Sequence, residues 1–312
     1  MKKKLTLCGI CVIIALVCFQ LYQPTESAAY SHAATWSADT FGSNLLPYAE
    51  DLAIDKAGNI LVTDALKATV YVFRPDGTLL TKFGGKGEGD GKFEKPEGIA
   101  IDNDGNIYVA DYITGLIQKF DSNYQHLLTF SGYGIEPGEN AEAEFMCIAP
   151  NGLLYMAEAG NHRVDVFDQE GNFQFMFGSY GSEAGQMNRP EAAKCDRDGL
   201  VYVTDLGNHR IQVFTAKGEF IRQWGSEGSD PGQFRKPCGL ALDQAGNVYV
   251  TEVGNNRIQK FDGKGEFICM WGSAGSGAAE FGNLHGIAVD AAGTLYVADT
   301  ANRRIQTFIP AH

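Results

Sequence analysis

The chain has 312 residues, 44% hydrophobic content and a formal net charge of −13 at pH 7. That length and apolar fraction suffice for one large domain with a sizeable core, and 38 glycines fit a protein made of turns. The acidic balance excludes an extended nucleic-acid footprint, which needs basic surface, and favours cationic or metal partners over anionic ones.

The first element is a targeting segment. Lys2, Lys3 and Lys4 precede an apolar run from Leu5 to Leu21, and Ser27-Ala28-Ala29 supplies small residues for a signal peptidase. Residues 1–29 are therefore expected to be a signal peptide or, if uncleaved, an N-terminal membrane anchor. Val17 before Cys18 and Ile10 before Cys11 do not suit a lipobox. Either way, residues 30–312 are expected outside the cytoplasm, as a secreted, periplasmic or cell-surface domain.

Beyond the leader the chain repeats. The unit from Pro237 to Ser273 holds four short runs rich in Val, Ile, Tyr, Phe and Trp, each closed by Gly, Asn or Asp turns. The acid ending the second run occurs at Asp64, Asp111, Glu158, Asp205, Glu252 and Asp299, always 47 residues apart. An aromatic ends the fourth run at Phe83, Phe130, Phe177, Trp224 and Trp271 with the same step. Four strands per period point to propeller blades. The last unit stops after its third run, Arg304 to Phe308, and one step before Phe83 lies Trp36. Tyr30 to Ser37 is thus expected to supply the missing outer strand of the last blade. The predicted fold is all-β: a six-bladed β-propeller of four-stranded antiparallel blades, closed by an N-terminal strand.

The segments PEGIAIDNDGNIYVAD (Pro96 to Asp111), EAGNHRVDVF (Glu158 to Phe167), DLGNHRIQVF (Asp205 to Phe214) and DTANRRIQTF (Asp299 to Phe308) resemble NHL repeats. The resemblance spans roughly Ser37 to Phe308 and implies a six-bladed propeller. It implies no single activity, since the family includes RNA binders, protein-binding domains and metal-dependent lyases.

Strand direction places the second-strand acids and the start of the innermost strands at one end of the ring. There the register reads Glu50, Glu97, Glu144, Glu191, Cys238 and His285. These side chains are expected to encircle one channel mouth. Crowded carboxylates have raised pKa values, hold a cation or pair with a base. Glu oxygens suit Ca²⁺, Mg²⁺ or Mn²⁺, whereas His285 with Cys238 suits Zn²⁺; solvated carboxylates are the plainer reading. Glu97-Gly98 is similar to a metal-ligand pair of gluconolactonase-type propellers, and Leu284-His285-Gly286 to a zinc-binding segment of peptidylglycine amidating lyases. The remaining ligands of those enzymes have no counterpart here.

Asn161 and Arg163, Asn208 and Arg210, Asn255 and Arg257, and Asn302 and Arg304 follow the acids of blades 3–6, an arrangement expected to satisfy itself. Blades 1 and 2 carry Thr69 and Leu116 in place of Arg, which makes Asp64 and Asp111, together with His162 and His209, a candidate ligand rim. Lys194 replaces small residues of the other blades and is expected to reach an acid, Glu191 or Glu144. Cys147, Cys195 and Cys269 are read as small buried apolar residues. No nucleophile elbow, phosphate loop or CxxC pair occurs. Two functional readings stand: a monomeric exported module binding a protein, peptide or glycan on the acidic face, or a metal-dependent lyase or hydrolase acting in the channel mouth with Ca, Zn or Mn.

Overall fold

A computed structural model describes residues 30–37, 46 and 48–311. The predicted leader, residues 1–29, lies outside the described residues. Among the described residues, no helix is long and apolar enough to cross a membrane.

Six four-stranded antiparallel blades succeed one another along the chain. Their innermost strands are Ala49–Ile54, Pro96–Ile101, Ala143–Ile148, Pro190–Cys195, Pro237–Leu242 and Leu284–Val289. The second strands, such as Val248–Glu252, are buried at every position because blades pack on both faces. The Asp-x-x-Gly turns hold themselves: Asp243 Oδ1 accepts the amides of Ala245 and Asn247 at 2.9 Å each.

Closure follows the sequence expectation. Tyr30–Ser37 pairs antiparallel with Arg304–Pro310, with Trp36 opposite Ile305. Trp36 is 2% exposed and packs between Phe73 of blade 1 and Tyr296 of blade 6. It covers Gly77, where any Cβ would sit 2.7 Å from the indole nitrogen. At the other end of the strand, the Tyr30 and Tyr249 hydroxyls bond at 2.7 Å. One strand thus ties blade 6 to both of its neighbours.

Adjacent inner strands come very close. A Cβ on Gly98 would lie 2.1 Å from the Glu144 carbonyl oxygen, and one on Gly286 would lie 2.3 Å from that of Glu50. Between blades 3 and 4 the approach becomes a parallel pairing of Phe145 with Ala192, which joins two blades into one eight-stranded sheet.

That junction overturns one expectation. Cys147 and Cys195 form a disulfide, Cα–Cα 5.9 Å apart. They are 48 residues apart, one more than the blade repeat, and lie on the two inner strands that pair here. Cys269, half-buried, and Cys238, buried, are free. A cross-blade disulfide fits an oxidising, extracytoplasmic compartment.

Candidate ligand site at the channel mouth

Each inner strand breaks register with its neighbour near its start: between Ala49 and Leu52, Pro96 and Ile99, Ala143 and Met146, Pro190 and Ala192, Pro237 and Leu240, and Leu284 and Ile287. The irregularity re-aims the side chain it contains, as bulges do beside binding sites. In all six blades that side chain belongs to the predicted ring. Glu50, Glu97, Glu144, Glu191, Cys238 and His285 line one cavity of about 310 Å³. Threonine clamps fix the backbone there. Thr63, Thr204 and Thr251 donate to the carbonyls of Glu97, Cys238 and His285 in the next blade at 2.6, 2.7 and 2.6 Å.

The ring is not uniform. His285 Nδ1 meets Glu50 Oε2 in a short contact, and its Nε2 lies 3.1 Å from Asn283 Nδ2. Burial pushes His285 down, but the charges of Glu50, Glu191 and Glu97 outweigh it and raise its pKa. Glu97 pairs with Lys95 at 2.5 Å, and the Lys95 ammonium sits 3.9 Å from the Tyr112 ring centre.

Glu144 differs. It is 4% exposed, and its side-chain neighbours are the carboxyls of Glu97 and Glu191. Its carboxyl hydrogen-bonds those of Glu97 and Glu191. Burial and then the Glu191 and Glu97 charges raise it strongly. Burial, then Glu50, raises Glu97 from 4.5 to about 7. Burial raises Glu191 as well, against the pull of Arg189 and His285. Burial and mutual repulsion thus favour the protonated forms of all three. Burial and the surrounding carboxylates push the Cys238 thiol up, which keeps it protonated.

A second ring, two residues earlier on each strand, escaped sequence reasoning. It reads Tyr48, Lys95, Glu142, Arg189, Lys236 and Asn283. Lys95, Arg189 and Lys236 line the same cavity above the carboxyls. Arg189 pairs with Glu142 at 2.7 Å, while Lys236 is exposed and has no acidic partner among the described residues. The signal was available: the same 47-residue step, offset by two.

One register position further along the inner strands, an ion pair links facing blades. Lys194 Nζ reaches Asp51 Oδ2 at 3.1 Å and the Met146 carbonyl at 3.3 Å. The expected partners Glu191 and Glu144 lie closer in sequence, but the ammonium extends along the channel to the one blade that carries an acid at the next register position. Asp51 stands where other blades have Gly98, Gly239 and Gly286. The far mouth is a separate cavity of about 280 Å³ lined largely by aliphatic residues, with Lys194 and the disulfide in its wall.

The predicted rim residues turn inward to the backbone. Asp111 accepts four amides, from Glu94, Lys95, Ile113 and Thr114, at 2.7 to 3.1 Å. Asp64 accepts those of Leu66 and Lys67. Both are buried, and Asp64 Oδ2 has no hydrogen-bond partner among the described residues. His162 and His209, left-handed at φ 59° and 56°, accept the amides of Arg189 and Lys236 through Nδ1. They are braces between blades. The acid–arginine network holds for Asp205–Arg210, Glu252–Arg257 and Asp299–Arg304. In blade 3, Arg163 pairs with Asp165 instead, because Glu158 is occupied by the amides of Ala141, Glu142, Gly160 and Asn161.

As arranged, the ring does not hold three His, Cys, Asp or Glu side chains as ligands of one ion, and the same is true of all described residues. Both His285 nitrogens are engaged.

Residues 39–131 match a family model described as a 6-bladed beta-propeller, and residues 187–214, 234–261 and 281–308 match the NHL repeat. No curated protein matches the sequence. Among solved structures, a protein of unknown function from Bacteroides thetaiotaomicron is similar, with TM-score 0.67 and 17% identity over 90% of this chain and 76% of that one. A virginiamycin B lyase from Staphylococcus aureus gives 0.60 and 15% over 84% and 80%. A gluconolactonase from Xanthomonas campestris gives 0.61 and 14% over 85% and 86%. At these identities the likeness is one of fold. The chain carries NHL repeats on a six-bladed β-propeller.

Proposed function

We propose that the protein is an exported, monomeric binding module that captures a protein, peptide or glycan ligand at the acidic mouth of its channel. The observation behind this reading is the convergence of Glu97, Glu144 and Glu191, hydrogen-bonded to one another, on a cavity of about 310 Å³. Carboxyls crowded by burial and by one another at an open cavity mark a candidate binding site. The disulfide supports export, with residues 1–29 as signal or anchor.

Lyase or hydrolase chemistry on a bound Ca, Zn or Mn is the weaker reading. It needs His285 to leave Glu50 or Asn283, and the chain offers no second histidine in the ring. Peptide and glycan arrays probed with the purified domain test the proposal. Retention that Glu144→Gln with Glu191→Gln removes is expected. Retention indifferent to these changes, or none on either array, overturns it.

A further inference from the structure

Blades 3–6 each fasten their incoming connection with two side chains. The asparagine after the second strand donates to one carbonyl, at Gly134, Gly181, Gly228 and Gly275 in turn. The arginine that opens the third strand donates to three more. Arg210 meets the carbonyls of Ser182, Glu183 and Gln186 at 2.7, 3.0 and 2.8 Å. Arg163, Arg257 and Arg304 meet carbonyls at the same offsets. Blade 2 carries Thr114 and Leu116 at these two positions. The four carbonyls that match belong to Gly87, Glu88, Gly89 and Lys92.

The connection of blade 2 nonetheless keeps the shape of the others. The Gly87 amide donates to the Phe93 carbonyl and that of Lys92 to Gly89, as Gly181 does to Met187 and Gln186 to Glu183, all at 3.0 to 3.1 Å. Gln118 bridges the Gly91 amide and the Lys92 carbonyl, as Gln212 bridges Gly185 and Gln186. Among the described residues, no side chain donates to the carbonyls of Gly87, Glu88 or Gly89. A cavity of about 350 Å³ lies there instead, lined by all four carbonyl residues with Thr114 and Leu116. Thr129, in its wall, is the counterpart of Gln223, which accepts from Arg210 at 2.9 Å. Glu88, Asp90, Glu94 and Asp111 against Lys92 leave the wall acidic, and the channel-mouth cavity shares none of these residues.

We infer that this hollow is a second ligand site, apart from the channel mouth, which takes a guanidinium supplied from outside the chain. Its shape is that of a guanidinium seat, since the same carbonyls hold one in four sister blades. Those arginines use two nitrogens to reach three carbonyls, which a planar fork allows and a single ammonium nitrogen does not. An acid with free oxygens is not required. In blade 3 backbone amides occupy Glu158, as they do Asp111, and Arg163 still holds its three carbonyls. The group can come from an arginine side chain of a partner polypeptide or from a small alkylguanidine. Free arginine would bring its own carboxylate to an acidic wall and fits less well.

Calorimetric titration of the intact domain at neutral pH tests this. The probes are methylguanidinium, acetyl-arginine methylamide, acetyl-lysine methylamide, free arginine and Ca²⁺. Both capped guanidinium probes are expected to bind, and the lysine probe about tenfold more weakly or worse. Tighter binding of acetyl-arginine methylamide than of methylguanidinium identifies a polypeptide as the source; equal binding identifies a small guanidine. Leu116→Arg with Thr114→Asn rebuilds the pair that blades 3–6 carry. It should raise the melting temperature and abolish guanidinium binding, because the chain then fills its own hollow. Glu88→Gln with Asp90→Asn, at exposed positions, should weaken binding and leave the fold intact.

Equal binding of the lysine and arginine probes, binding of Ca²⁺ alone, or no binding of either capped guanidinium overturns the inference. So does guanidinium binding that survives both sets of changes in blade 2. Binding that Glu144→Gln with Glu191→Gln removes would belong to the channel mouth and overturns it too, so the two sites stand or fall separately.

Discussion

Lys194 of blade 4 meets Asp51 of blade 1 at 3.1 Å, although three blade repeats separate them and their blades face each other across the ring. Lys194 lines the cavity bordered largely by aliphatic residues, and a second cavity on the ring holds the carboxyls. Asp51 is fully buried, with one oxygen lacking a partner among the described residues. Burial raises its pKa despite the pull of Lys194. Such a pair contributes little net stability, but breaking it leaves a stranded charge.

The expected result is a non-additive cycle. Lys194→Met should cost about 3–5 kcal/mol in urea unfolding. Asp51→Gly with Lys194→Ala, which restores the residues most blades carry, should recover most of that loss. Equal losses in the single and double variants would show that Lys194 stabilises by its stem alone.

Closure makes a second prediction. Trp36→Ala should destabilise the whole domain by about 3–5 kcal/mol in one cooperative transition, because the indole is shared by the first and last blades. A separate early transition confined to blade 6 would mean that the terminal strand decorates the ring without closing it.

The ring was legible because a propeller repeats its geometry with its sequence. A 47-residue step fixes which side chains share a level, so Glu50 through His285 could be placed on one mouth before any coordinates. The register breaks that aim them inward were not legible, since Glu at the bulge and Glu in a regular strand read alike. The backbone bonds of Asp64 and Asp111 were not legible for a related reason. Without an arginine a carboxylate looks free, yet backbone amides bond it too, and amides leave no trace in the sequence. The Cys147–Cys195 bond depended on which neighbouring strands come close enough to pair. Periodicity gives their level and not their separation.

The disulfide carries the third prediction. It closes a 48-residue separation and staples the one inner-strand pair that joins two blades. Reduction should lower stability by about 2–4 kcal/mol. Cys147→Ser with Cys195→Ser should be equally less stable and no longer respond to reductant, while Cys238→Ala should keep the full response. Reductant sensitivity in the double serine variant would place the effect elsewhere.

The last prediction follows stability across pH. Burial raises the pKa values of Glu97, Glu144 and Glu191, with Glu97 moving from 4.5 to about 7. Raised values mean that the protonated forms suit the fold better. Their stabilising contribution is full below the ordinary carboxylate range near 4.5 and is lost as pH rises through the folded values. For Glu97 alone the difference is about 3 kcal/mol at most. The free domain should therefore lose melting temperature from pH 5 to pH 8, and Glu144→Gln should flatten the slope by removing the central charge. A melting temperature that rises to pH 8 in the free domain would show that these carboxyls are ionised and paired in the fold.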